Sequence, residues 1–259
     1  MDFTLSAYKA LINSLKDNNY VFFTVSNYFS QKSESLKNDK FVIMRHDVDR
    51  MPQNALKMAK LEHDLGIKAT YYFRTIPQTL KPDIIKEISD MGHEVGYHYE
   101  NLAQCNGNFE MAIEDFRNNL DKLRVIAPVY TICMHGSPRS RWDAKDLWKK
   151  YDYRDFGILA EPYMDIDFNE IFYLTDTGRH WNNKTISVRD RVNSRFDIKI
   201  INTENILNLI QGNQLPHKIM INVHPHRWFD LGFNWYWELI SQNLKNVIKL
   251  IIVNSHNNE

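Results

Sequence analysis

Apolar positions along the chain alternate between two periods. Leu5, Tyr8, Leu11, Ile12 and Leu15 recur at helical spacing over residues 4–16, and YVFFTV (20–25) then reads as a short strand. The four consecutive apolar residues Phe41, Val42, Ile43 and Met44 predict a strand buried on both faces. Pro52 suits a first helical turn, and Ala55, Met58, Ala59 and Leu65 mark one helix face that Gly66 ends. KATYYFR (68–74) is rich in β-formers; Ile84, Ile85, Ile88 and Met91 give the next helix, closed by Gly92, and HEVGYHYE (93–100) the next strand. Phe109, Ile113, Phe116, Leu120 and Leu123 predict a long amphipathic helix over 108–124, which Pro128 breaks ahead of the strand and turn VYTICMHGSP (129–138). A short helix over 142–151 and two strands, GILAEP (157–162) and EIFYLTD (170–176), follow. Thr203 is expected to cap a helix through Ile206, Leu207 and Ile210, and KIMINVHPHRW (218–228) is a strand ending in two histidines. An aromatic helix over 233–244 and a closing strand, VIKLIIVN (247–254), complete the chain.

Strand and helix thus alternate seven or eight times, the pattern of βαβ units with a parallel sheet. At 259 residues this favours an irregular barrel over an open sheet, with residues 1–259 as one domain. The polar stretch TGRHWNNKTISVRDRVN (177–193) is the longest irregular segment and is read as a lid or substrate loop.

Polar residues at the strand ends change the picture. The strand at 41 runs into Arg45, His46, Asp47, Val48 and Asp49, a charge cluster out of place in a core. Carboxyl ends of parallel strands are where ligands bind in such sheets, and strand alternation turns Asp47 and Asp49 to the same side. Two carboxylates so close resist joint ionisation unless a cation neutralises one, which suggests a metal ligand and a base; an Arg–Asp ion-pair cluster is the structural alternative. His98, His135 and His224 end three further strands. A structural role gives no reason for all four to share one end, whereas the mouth of a barrel does.

The bulk numbers narrow the partners. With 32 basic and 32 acidic residues and 43% hydrophobic content, neither nucleic acid nor an anionic membrane is expected as a main partner. Cys105 and Cys133 have neither metal-type nor redox spacing and read as thiols in a reducing compartment. The amino terminus lacks a basic start followed by an apolar core, and no run approaches 18 apolar residues, so a soluble cytoplasmic protein is expected.

HDVD at 46–49, GHEVGYH at 92–98 and the late strand ending in His224 together resemble the polysaccharide deacetylase family, carbohydrate esterase family 4, over most of residues 41–228. The resemblance implies an α/β fold, a distorted (β/α) barrel of about seven repeats. It also implies a metal-dependent hydrolase that removes an acetyl group from an N- or O-acetylated sugar or glycoconjugate precursor. Carried over, Asp47 is the general base, His224 the general acid, and Asp49 and His98 are ligands of a divalent metal, zinc by expectation. The family's second histidine, four residues after the first, is here Leu102, which cannot bind a metal. His135 is the preferred third ligand, ahead of Glu100 and His93. The family's arginine-and-proline segment is replaced by MHGSPRSR, where Arg139 or Arg141 is expected to orient Asp47 or contact substrate.

Arg179 and Trp181 in TGRHW pair a charge with an aromatic face suited to a sugar ring. His226 is read as exposed, and Tyr71, Tyr72, Tyr97, Tyr99 and the aromatics at 229–237 as core. Two other functions fit the same residues: hydrolysis of non-sugar linear or cyclic amides, and a carbohydrate-binding barrel without turnover, for which Leu102 speaks.

Overall fold

The computed structural model describes residues 1–30, 40–137, 140–181 and 192–256, with backbone alone at 245 and 247–256. Helix α1 (Leu5–Asp17), capped by the Thr4 hydroxyl, leads into β1 (Val21–Phe23) and α2 (Val25–Ser30). From there β2 (Phe41–Val48), α3 (Pro52–Asp64), β3 (Thr70–Phe73), α4 (Pro82–Asp90) and β4 (Glu94–Tyr99) alternate. The one-turn α5 (Asn101–Gln104), the long α6 (Phe109–Arg124) and β5 (Val129–Met134) follow. After the short α7 (Pro162–Asp165) come β6 (Phe172–Thr175), α8 (Thr203–Gln211), β7 (Lys218–Val223) and α9 (Phe233–His256).

All seven strands pair in parallel, in the order β5-β4-β3-β2-β7-β6, with β1 beside the start of β2. That is the order of a barrel whose last strand has returned to β2 and which opens between β5 and β6. Neither β5 nor β6 bonds the other, so among the described residues the ladder is not closed. GILAEP supplies only a fragment of the missing rung. Leu159 and Ile132 exchange backbone bonds with Tyr130 and Ala160, and Thr131 bridges Ala160, but Pro162 then starts a helical turn. The closing strand expected at 247–254 is helical, a continuation of α9. The segment at 142–151 is a 3₁₀ helix over Ala144–Lys149, and Asn202, not Thr203, caps α8. No helix among the described residues is long and apolar enough to cross a membrane.

Period-two alternation sorts the strand side chains into two layers. Val42, Met44, Val48, Tyr71, Phe73, Tyr97, Tyr99 and Ile221 pack outward under the helices; Phe41, Ile43, Tyr72, Cys133, Tyr173 and Met220 fill the inside. Gly96 is required on β4, because a Cβ there would lie 2.3 Å from the Tyr72 ring. Outside the barrel, His46 bonds Glu62 of α3 at 2.7 Å and stacks on Tyr71, whose hydroxyl donates to the same carboxylate at 2.6 Å. His93 joins this layer, accepting from the Ala69 N–H and reaching the Ala59 carbonyl. Both imidazoles therefore serve the helix–sheet seam, and His93 falls out of the ligand candidates.

Glu161 is fully buried, its carboxylate accepting the Met134, Tyr163 and Met164 N–H groups. Burial pushes its pKa up to about 7 despite those bonds. A carboxyl raised in the folded state contributes stability below its unfolded pKa that is lost as pH rises through about 7. We expect the wild type to lose about 3 kcal/mol more between about pH 5 and about pH 8 than Glu161→Gln does, read from urea unfolding at both pH values. Equal losses in the two proteins would show that Glu161 does not titrate in this range.

Candidate active site

Three inward-facing positions on β2 and β7 build the first half of the site. Arg45, fully buried and two residues before Asp47 on the same strand face, donates Nε to Oδ1 at 3.0 Å and a terminal nitrogen to Oδ2 at 2.7 Å. Asn222 on β7 adds Nδ2 to Oδ2 at 3.0 Å. Burial opposes ionisation of Asp47, yet the Arg45 and His98 charges hold its carboxyl far below the usual range. Arg45 itself lies over the Tyr163 ring at 4.8 Å and bonds its hydroxyl. The ion-pair cluster considered as a structural alternative thus exists, and it is one-sided: it fixes Asp47 and leaves Asp49 out.

Asp49 lies just past β2, and its Oδ1 is 3.3 Å from His98 Nε2 and 3.5 Å from His135 Nε2. Each ring is held from behind. His98 Nδ1 bonds the Cys133 carbonyl at 2.9 Å, and His135 Nδ1 bonds Glu100 at 2.9 Å, with Ser137 at 3.1 Å. Arg74 of the β3 end pins the other Glu100 oxygen. Each Nδ1 faces an acceptor, so both Nε2 atoms turn toward the buried Asp49 Oδ1. Burial opposes charge on both partners, but the Asp47 and Asp49 carboxylates raise the pKa of His98, and the imidazoles hold Asp49 well below its usual value.

The ligand atoms of Asp49, His98 and His135 all lie within 4.8 Å of one another, a donor set that fits a divalent ion of zinc type. Asp47, His98 and Cys133 form a second such group, but the Asp47 oxygens are already taken by Arg45 and Asn222. Leu102 is fully buried in the hydrophobic core on α5, whereas His135, just past β5, faces Asp49.

His224 follows β7 and brings Nε2 to 4.0 Å from Asp49 Oδ2. Behind it, Nδ1 is 2.6 Å from Asp176 Oδ1, and the same carboxylate accepts the His224 N–H, the Trp228 indole N–H at 2.7 Å and Arg227 at 2.8 Å. Burial opposes the charge on Asp176, but Arg227 and His224 hold its carboxyl below the usual range. The imidazole is thereby fixed in orientation and in tautomer.

A cavity of about 1020 Å³ opens beside His135 and Glu100, lined further by Arg74, Gln104, Arg141 and Trp142. That is the upper end of the roughly 300–1,000 Å³ of ligand sites. Trp142 seats against Gly107, whose φ of 82° and lack of a Cβ both permit the contact: a Cβ would lie 2.3 Å from the ring.

Asp47, Asp49, His98, His135 and His224 are therefore brought to one place. Other candidates are placed elsewhere. Trp181 is 2% exposed, donates to Thr203 and packs on Phe3 and Trp228, so no ring face is open to a sugar. Arg179, 5% exposed, lies between Phe3 and Trp235. Residues 182–191 of the expected loop and Arg139 lie outside the described residues. Arg141 stacks on Trp142 at the cavity rim, and among the described residues the arginine that pairs with Asp47 is Arg45. His226 is buried, edge-on to His224, because the 3₁₀ turn after β7 folds it inward. Asn222 and Asp176 escaped the sequence analysis, and Arg45 entered it only as part of an ion-pair cluster. Each had a signal in the same alternation and strand-end rules: two residues before Asp47, two before His224, and the last residue of EIFYLTD.

No protein-family model matches the chain, and no curated protein matches it. Among solved structures it is similar to the wild-type family 4 carbohydrate esterase pseudoenzyme from Bacillus anthracis, at 14% identity and a TM-score of 0.46 over 93% of this chain and 77% of that one. It is also similar to a Streptococcus mutans family 4 esterase, at 13% and 0.46 over 87% and 88%. A mutant of a family 4 pseudoenzyme matches at 14% and 0.45 over 82% of this chain, which spans 64% of that chain's length.

Proposed function

We propose that the chain is a metal-dependent hydrolase that removes an acetyl group from an N- or O-acetylated sugar or glycoconjugate precursor. The observation that carries the reading is the convergence of Asp49 Oδ1, His98 Nε2 and His135 Nε2 between an arginine-held Asp47 and an aspartate-held His224. The resemblance of HDVD and GHEVGYH to polysaccharide deacetylases supports the same chemistry.

Asp49, His98 and His135 would hold a divalent ion, zinc by donor type. When bound, it supplies Lewis acidity toward an acyl oxygen and acidifies water. Asp47, kept ionised by Arg45, accepts a proton from the attacking water. His224, its Nδ1 tied to Asp176, carries the proton that leaves with the sugar amine or hydroxyl from Nε2. The cavity past His135 takes the sugar, with Trp142 and Arg141 on its rim.

The test is direct. Purified protein dialysed against zinc is assayed for bound metal and for acetate released from chitin oligosaccharides and from an O-acetylated xylo-oligosaccharide. About one equivalent of zinc with acetate from either substrate supports the proposal. Metal-free protein that still cleaves simple amides would move the reading to a non-sugar amidohydrolase. Protein that binds oligosaccharide but releases nothing and holds no metal would make it a binding barrel.

A further inference from the structure

Helix α9 is amphipathic the wrong way round. Glu238, Gln242 and Asn246 are buried, while Phe233, Trp237, Ile240 and Leu244 are 80, 62, 57 and 62% exposed. Tyr236 beside them is 49% exposed, and Phe233 stacks on Trp237. Sequence reading placed the aromatics of this segment in the core; only Trp235 and Phe229 are there. The buried polar face is satisfied. Arg50 reaches Glu238 at 2.6 Å, Gln242 bonds Asn246, and Asn246 donates to the Gly178 carbonyl at 2.9 Å. Packing against the domain therefore explains the inner face and leaves the outer one without a purpose.

We propose that the outer face of α9 is the self-association surface through which two copies of this chain form a dimer. Three observations select that occupant. The exposed residues are spaced four, three and four apart, the seam of a helix that pairs with another helix. The five side chains leave about 600 Å² of apolar surface open per copy, near the ~800 Å² per partner of a standard stable interface and high for a monomer. Between Phe233 and Leu244 the only charged residue is Glu238, which is buried and paired; Lys245 and Lys249 follow further along the helix. The whole of α9 holds two basic residues, Lys245 and Lys249, against the Lys- and Arg-rich polar face with which an interfacial helix engages an anionic membrane.

The inner face gives the dimer a consequence. Arg50 directly follows Asp49, and Gly178 lies two residues after Asp176, so the polar face of α9 holds both loops that carry site residues. Pairing of the outer faces would steady α9 against them.

Sedimentation velocity on the full chain over about 1–50 µM should show a dimer, and Trp237→Glu should be monomeric throughout, a loss of at least about 100-fold in self-affinity. Both positions chosen are exposed, so thermal unfolding should be unchanged; if Trp237→Glu does not fold, Ile240→Lys serves in its place. A monomeric wild type at the top concentration overturns the proposal. So does a Trp237→Glu protein that remains dimeric, or a monomeric wild type whose tryptophan emission shifts to the blue on phosphatidylglycerol vesicles, which would assign the face to a membrane.

Discussion

His135→Ala is expected to weaken zinc binding by at least about 100-fold, beyond the 10–100-fold that follows when a residue merely orienting a ligand is removed. His135 Nε2 is one of three ligand atoms facing each other, and with it gone the ion would keep only Asp49 and His98. Competition titration against a chelator reads the affinity without any substrate. Glu100→Gln should fall within the smaller range, because it disturbs only the bond that turns the His135 ring. Cys133→Ser separates the two donor groups. If the Asp49 group is the site, zinc affinity is unchanged by it; a loss matching that of His135→Ala would move the ion to Asp47, His98 and Cys133. Leu102→His should restore nothing to His135→Ala, since residue 102 is buried in the core.

Asp176→Asn should lower kcat by about 10²–10⁴-fold with KM and zinc affinity within about threefold of wild type. An asparagine amide can present N–H where the carboxylate now accepts the Nδ1 proton, which favours the tautomer with its proton on Nε2 and an imidazole turned from its 2.6 Å bond. The carboxylate also accepts the Trp228 indole and pairs with Arg227, so part of the loss would be positional. The KM-against-kcat split distinguishes the two roles. If KM rises in step with the fall in kcat, or if zinc is lost, Asp176 shapes the pocket and does not serve His224. The comparison depends on the zinc measurements above, which are made on the same preparations.

Part of the arrangement was readable because it follows from local rules. Alternation forces Arg45, Asp47 and the inner residues of β2 to one side, and an apolar run that ends in charge marks a strand end in any parallel sheet. The helix boundaries at Pro52, Gly66 and Gly92 are likewise local, set by the dihedrals those residues allow or forbid. The failures have a common cause. GILAEP and VIKLIIVN both contain β-formers, but whether such a run becomes a strand depends on a neighbour with open hydrogen-bonding groups. Beside β5 only Leu159 and Ala160 find one, and residues 247–254 continue a helix already begun at Phe233.

By itself the sequence determined the parallel α/β order and the strand ends that carry Asp47, Asp49, His98, His135 and His224, since periodicity and residue type are properties of neighbours in the chain. Only the tertiary structure decided which arginine holds Asp47, that Asp176 stands behind His224, that His93 and Trp181 are core, and that α9 turns its apolar face outward. Those depend on distances between residues far apart in the chain, 175 positions for Asp47 and Asn222 and 188 for Arg50 and Glu238. Nothing in local spacing encodes such distances, because packing of the whole sheet sets them.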